Sequence, residues 1–125
     1  MHHKYLKDQI AVELNEAANY LRKAIDLFSE YPNWAKMFKA ISDERQRTSG
    51  ELYKMFIQLC SDIKGQDAYI SSIRDAAMNN FSDMMRKIED YEMTYNIILS
   101  QERDKGMSTD ERDTAEPGDN QVVRV

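Results

Sequence analysis

Glu13 stands in a row of apolar residues. Leu6, Ile10, Ala17, Tyr20, Ala24 and Leu27 follow one another at the alternating steps of three and four that gather side chains on one helix face, and Glu13 falls on the same row. A carboxylate there must be paired or must coordinate a cation, because burying it alone is too costly. A second row of the same kind, Trp34, Phe38, Ile41, Leu52, Met55 and Leu59, is interrupted by Arg45 and Thr48. A guanidinium has no acceptor and cannot be deprotonated at ordinary pH. The chemistry these positions suggest is therefore an ion pair, with Arg45 reaching Glu13 and with Thr48 and Tyr20 completing a structural polar core.

Other reactive residue types are sparse. Cys60 is the one cysteine, so an internal disulfide is impossible, and no histidine outside the His2-His3 pair is available to activate it as a nucleophile. The same shortage argues against a hydrolytic triad. The four glycines are isolated, which leaves no phosphate-binding loop. The eight methionines fall mostly at helical core or boundary spacing and read as gap-filling side chains.

Three elements must position these residues. The first apolar row covers positions 5 to 29, and Pro32, which cannot occupy a helix interior, sets a turn at 30 to 33. The second helix follows, with Gly50 inside it at a cost that suggests close approach by a neighbouring helix. Gly65 reads as its stop and Asp67 as the cap of the third helix. That helix carries Ile70, Ile73, Ala77, Phe81, Met84, Ile88, Tyr91, Tyr95 and Ile98 and extends to about Arg103. Continuity through Asn79-Asn80 is expected, although both are weak helix formers. Short connections make neighbours antiparallel. The expected fold is all-α, an up-down-up bundle of three long helices over 1–104, with an acidic, flexible tail over 105–125.

The stretch Glu13-Leu14-Asn15-Glu16-Ala17-Ala18-Asn19-Tyr20 resembles the first helix of ferritin-like and rubrerythrin-like proteins, where a ligand glutamate precedes a core tyrosine by seven residues. The segment from Ile41 to Phe56, with its Leu52-Tyr53-Lys54-Met55 ending, is similar to their second helix, including that of short phage and prophage forms. In that family a Glu-x-x-His pair supplies iron ligands. The matching inward positions here hold Arg45 and Thr48, and neither replaces a carboxylate or an imidazole as an iron ligand. The resemblance thus implies a ferritin-like frame with a degenerate metal site. A register shifted by one residue would make Glu44 the inward carboxylate, and Glu13, Glu44 and Glu92 could then converge as metal ligands, within one chain or across a dimer.

The leading expectation is a non-enzymatic scaffold that acts through a protein partner or self-association as a homo-oligomer, with no cofactor. For a phage-type protein this means a virion component or an inhibitor of a host protein. The alternative is a di-iron carboxylate protein, an oxidase, peroxidase or iron-handling protein, with iron at an atypical or dimer-completed site. A net charge of -5 without a basic block argues against nucleic acid. The short apolar runs exclude a membrane span, and the polar start lacks a signal-peptide core, so a cytoplasmic location is expected, whether host cytoplasm or virion. Val122, Val123 and Val125 form a β-prone end that could add to a partner's sheet edge.

Overall fold

A computed structural model describes residues 2–62, 67–104, 118–119 and 121–122. Its body is three α-helices, α1 His2–Leu27, α2 Pro32–Ser61 and α3 Ala68–Asp104. Two short strands, β1 Gly118–Asp119 and β2 Gln121–Val122, pair antiparallel with Gly118 opposite Val122. Gly65, expected to end the second helix, lies outside the described residues.

The boundaries follow local chemistry. At the end of α1 the Tyr31 amide donates to the Leu27 carbonyl at 2.7 Å. Pro32 then opens α2 at a position that needs no amide hydrogen. The buried proline fixes the entry of α2, and Tyr31 stacks on Trp34 with ring centroids 4.9 Å apart. Asp67 caps α3 as its sequence position suggested, accepting from the Tyr69 amide at 2.9 Å and more weakly from the Ile70 amide. The helix runs unbroken through Asn79-Asn80.

The centre of the packing is α1. It buries Ile10, Leu14, Ala17, Ala18, Leu21 and Ala24, and Phe28 is buried just beyond its end. Against α2 the contacts form a ladder. Glu13 meets Arg45, the Ala17 carbonyl meets Ser42, and Tyr20 stacks on Phe38, so partners descend along α2 as they ascend along α1. The buried row of α2 is Ala35, Ser42, Ser49 and Phe56, one residue every two turns. Small side chains at the first three let the α1 and α2 backbones approach closely, and the Ser42 hydroxyl donates to the Ala17 carbonyl at 2.8 Å.

This row corrects the sequence reading of α2. Trp34, Ile41 and Met55, expected in the core, are exposed, while Phe38, Leu52 and Leu59 are half-buried. Hydrophobicity pointed to the larger side chains, whereas close helix packing selected the small ones beside them. On α1 the expected row is buried at Ile10, Ala17 and Ala24 and half-buried at Leu6, Tyr20 and Leu27, with Leu14, Leu21 and Phe28, which the sequence places alongside it, completing the core; α3 keeps its expected face. Ile73, Ala77, Ile88 and Tyr95 of α3 are buried, and Tyr95 meets Phe28 edge-on at 5.6 Å.

Backbone approach between α2 and α3 is slight, and long side chains bridge them. Tyr53 stacks on Phe81 at 4.0 Å, and Gln46 and Lys39 both reach Glu92. Gly50 faces open space, with no atom within 4 Å of where a Cβ would stand, so the close helix contact expected there is absent among the described residues.

Candidate functional site

Glu13, Arg45 and Thr48 come together on the outer side of the α1–α2 pair. Arg45 Nη1 donates to Glu13 Oε1 at 3.2 Å and to Oε2 at 3.4 Å. The Glu13 carboxylate holds the guanidinium above its already high ordinary pKa, through the hydrogen bond first and its charge second. The pair is not sealed in the core, because the Arg45 side chain keeps 40% of its surface exposed and Glu13 15%. With Ile41, Glu44 and Thr48 it lines an open hollow of about 400 Å³. The expected buried polar core is thus a groove wall. The reason is the rotation of α2 that gives its inward row to Ala35, Ser42 and Ser49. Tyr20 stays half-buried and stacks on Phe38 at 5.8 Å.

The three carboxylates named as possible metal ligands do not converge. Glu13 faces Arg45, exposed Glu44 pairs with Arg47 one turn along its own helix, and Glu92 lies between Lys39 and Gln46. Each has a separate hydrogen-bonding donor, two of them arginines that no metal could share. Among the described residues no group of three or more His, Cys, Asp or Glu could hold an ion. Within one chain, the described residues do not form a di-iron centre.

A different polar network links all three helices. Gln46 Nε2 donates to Ser42 Oγ at 3.3 Å and to Glu92 Oε2 at 3.0 Å, while Lys39 Nζ lies 3.2 Å from Glu92 Oε1 and also pairs with Asp43. The Lys39 ammonium stands 5.7 Å from the centre of the Tyr95 ring. Burial pulls the Lys39 pKa down, but hydrogen bonds to Asp43 and Glu92 prevail and raise it. Burial of the Tyr95 phenol raises its pKa. Of this network the sequence reading named Glu92, as a possible metal ligand, and Tyr95, as a member of the α3 row. Its available signal was the seven-residue spacing Ala35, Ser42, Ser49, Phe56, which marks the true inward face and places Lys39 and Gln46 beside it.

Next to the charged hollow lies an apolar one of about 220 Å³, lined by Trp34, Met37, Phe38 and Ile41. Ile41 lines both, so the two hollows adjoin along the outer side of α2. Large apolar side chains remain in water along this side of α2, with Trp34 49%, Met37 64%, Ile41 37% and Met55 56% exposed. Of the terminal residues proposed for strand addition, Val122 lies in β2, and Val123 and Val125 lie outside the described residues. No described helix is long and apolar enough to cross a membrane. No protein-family model, curated protein or solved structure matches the chain.

Proposed function

We propose that this chain is a non-enzymatic helical scaffold of ferritin-like, up-down-up organisation that acts by binding another protein through the outer α1–α2 groove. The observation that carries this reading is the apolar stripe of α2. Isolated exposed apolar residues are ordinary, but Trp34, Met37 and Ile41 occupy successive turns of one face and line a shared hollow. Folding leaves them in water although the same helix offers small residues to the core. A chain that keeps a tryptophan, a methionine and an isoleucine together at its surface has them available for association. The carboxylates that a catalytic metal centre would need are engaged by cations or an amide, which favours a contact role over redox chemistry.

Site-specific photo-crosslinking tests the reading directly. A photoreactive residue at Met37, in the cells that make the protein, is expected to capture a discrete protein adduct that the same residue at exposed Asn19 does not. Identical adducts at both sites would overturn the groove as the interface. Stoichiometric uptake of two irons per chain after Fe(II) loading would overturn the non-enzymatic assignment.

A further inference from the structure

We infer that two copies of this chain associate through the outward side of α3, antiparallel, about a two-fold axis level with Lys87 and Ile88. This goes beyond the contact function proposed above and uses a different helix. Met78, Ser82, Arg86, Glu89, Met93 and Ile97 follow one another at steps of three and four, so they share one face of α3. The buried row, Ile73, Ala77, Ile88, Tyr95 and Glu102, points the other way, since at about 100° per residue the two rows lie roughly 150° apart. Half-burial at the edge of the core therefore does not account for the apolar members of the outer face. Met78, Met93 and Ile97 are 43%, 64% and 55% exposed, and they stand at its two ends.

The occupant follows from the order of charges between those ends. In the antiparallel register Met78 faces Ile97 of the second copy, Ser82 faces Met93, and Arg86 faces Glu89, each pair occurring twice. Apolar groups thus meet apolar groups or a small hydroxyl, and each guanidinium meets a carboxylate. Sliding one helix by a turn sets Arg86 against Met93 in one direction and Glu89 against Ser82 in the other. A parallel pair sets Arg86 on Arg86 and Glu89 on Glu89. The other charges of this stretch do not oppose the contact. Glu92 is engaged by Lys39 and Gln46, and Asp83 pairs with Arg86 in a contact exposed to water. Lys87, near the Tyr91 ring, shares a flank of the face with Asp90, and the two-fold axis sets that flank against its own copy, Lys87 beside Asp90. The exposed charges from Met78 to Ile97 are therefore three carboxylates and two cations, mixed in sign. A single helix pair of roughly 29 Å is small beside a standard interface, so the dimer is reversible. The apolar ends supply attraction and the charges set its direction.

Sedimentation equilibrium of the intact chain is expected to show a mass that rises with concentration from 14.6 kDa toward twice that value. Arg86→Glu and Glu89→Arg should each weaken the dimer by about tenfold or more, with unchanged far-ultraviolet circular dichroism, because each sets like charges across the axis. An equimolar mixture of the two variants should regain the original affinity as a heterodimer, and the double variant Arg86→Glu/Glu89→Arg should regain it as a homodimer. A residue that merely supports the fold would show neither rescue. A monomer at every concentration up to about 1 mM overturns the inference. So does a dimer indifferent to both single variants, or one weakened by them without rescue in the mixture. A dimer that Met37→Lys abolishes and Arg86→Glu leaves intact would move the contact to α2 and overturn it equally.

Discussion

Ser42 shows how a short polar side chain can hold a core position. Fully buried, it satisfies its hydroxyl on the Ala17 carbonyl and accepts from Gln46, joining the α1–α2 contact to the network around Glu92. Ser42→Ala is expected to cost about 1 kcal/mol, the net worth of a typical hydrogen bond. Ser42→Leu should cost about 1–3 kcal/mol through overpacking, although leucine is the more hydrophobic choice. Urea unfolding measures both, and a stabilising leucine would refute the close approach. Lys39 and Tyr95 make a second residue-scale prediction. The ion pairs of Lys39 contribute fully below its ordinary value near 10.5 and fade as pH rises through its higher folded value. Tyr95, also raised, contributes fully below its ordinary 10.0 and likewise loses that contribution as pH climbs. Stability is therefore expected to fall above about pH 10, and Lys39→Met and Tyr95→Phe should each flatten the decline. An unchanged slope in both variants would exclude this linkage. Hydropathy could mark Glu13, Arg45 and Thr48 as departures from apolar rows, but it could not say that the α2 row, which holds Arg45 and Thr48, faced outward.

At the scale of elements, α2 carries two stripes offset by one residue, roughly 100° around the helix, one small and buried, the other large and exposed. The helix boundaries were legible because Pro32 and Asp67 act through local backbone chemistry. The faces of α1 and α3 were legible because there the most apolar row is also the inward one. The face of α2 was not, since apolar periodicity alone does not tell a buried row from an exposed one, and on α2 a stripe of large exposed apolar side chains carries the stronger pattern. The candidate groove was consequently present in the sequence as a supposed interior. Gly50 was similarly misread, because a glycine can mark close approach or merely occupy an open site. With nothing near its missing Cβ, Gly50→Ala should raise stability by up to about 1 kcal/mol through helix propensity and a less flexible unfolded chain. Thermal or urea denaturation reads the gain, and a loss would reveal a neighbour at that position.

Across the whole molecule, the helices are unequally bound. Small residues bring α1 and α2 together at short range, α3 lies on α1 through Ile73, Ala77, Ile88 and Tyr95, and α2 meets α3 chiefly through long side chains. The α1–α2 ladder joins residues 25 and 32 positions apart, whereas the Gln46–Glu92 bridge spans 46. Because closing a longer loop costs more entropy and non-local contacts slow folding, the small-residue ladder also sets an order of events. The first two helices are therefore expected to zip while the third is still being synthesised, with α3 docking onto the hairpin they form. In a denaturant-dependent kinetic series, conservative truncation at Leu14 should chiefly slow refolding, whereas Ile88→Val should chiefly accelerate unfolding. The reverse assignment would place α3 in the nucleus. Until α3 arrives, the nascent hairpin offers water two apolar faces, one of which the chain itself will cover and one of which the finished protein retains.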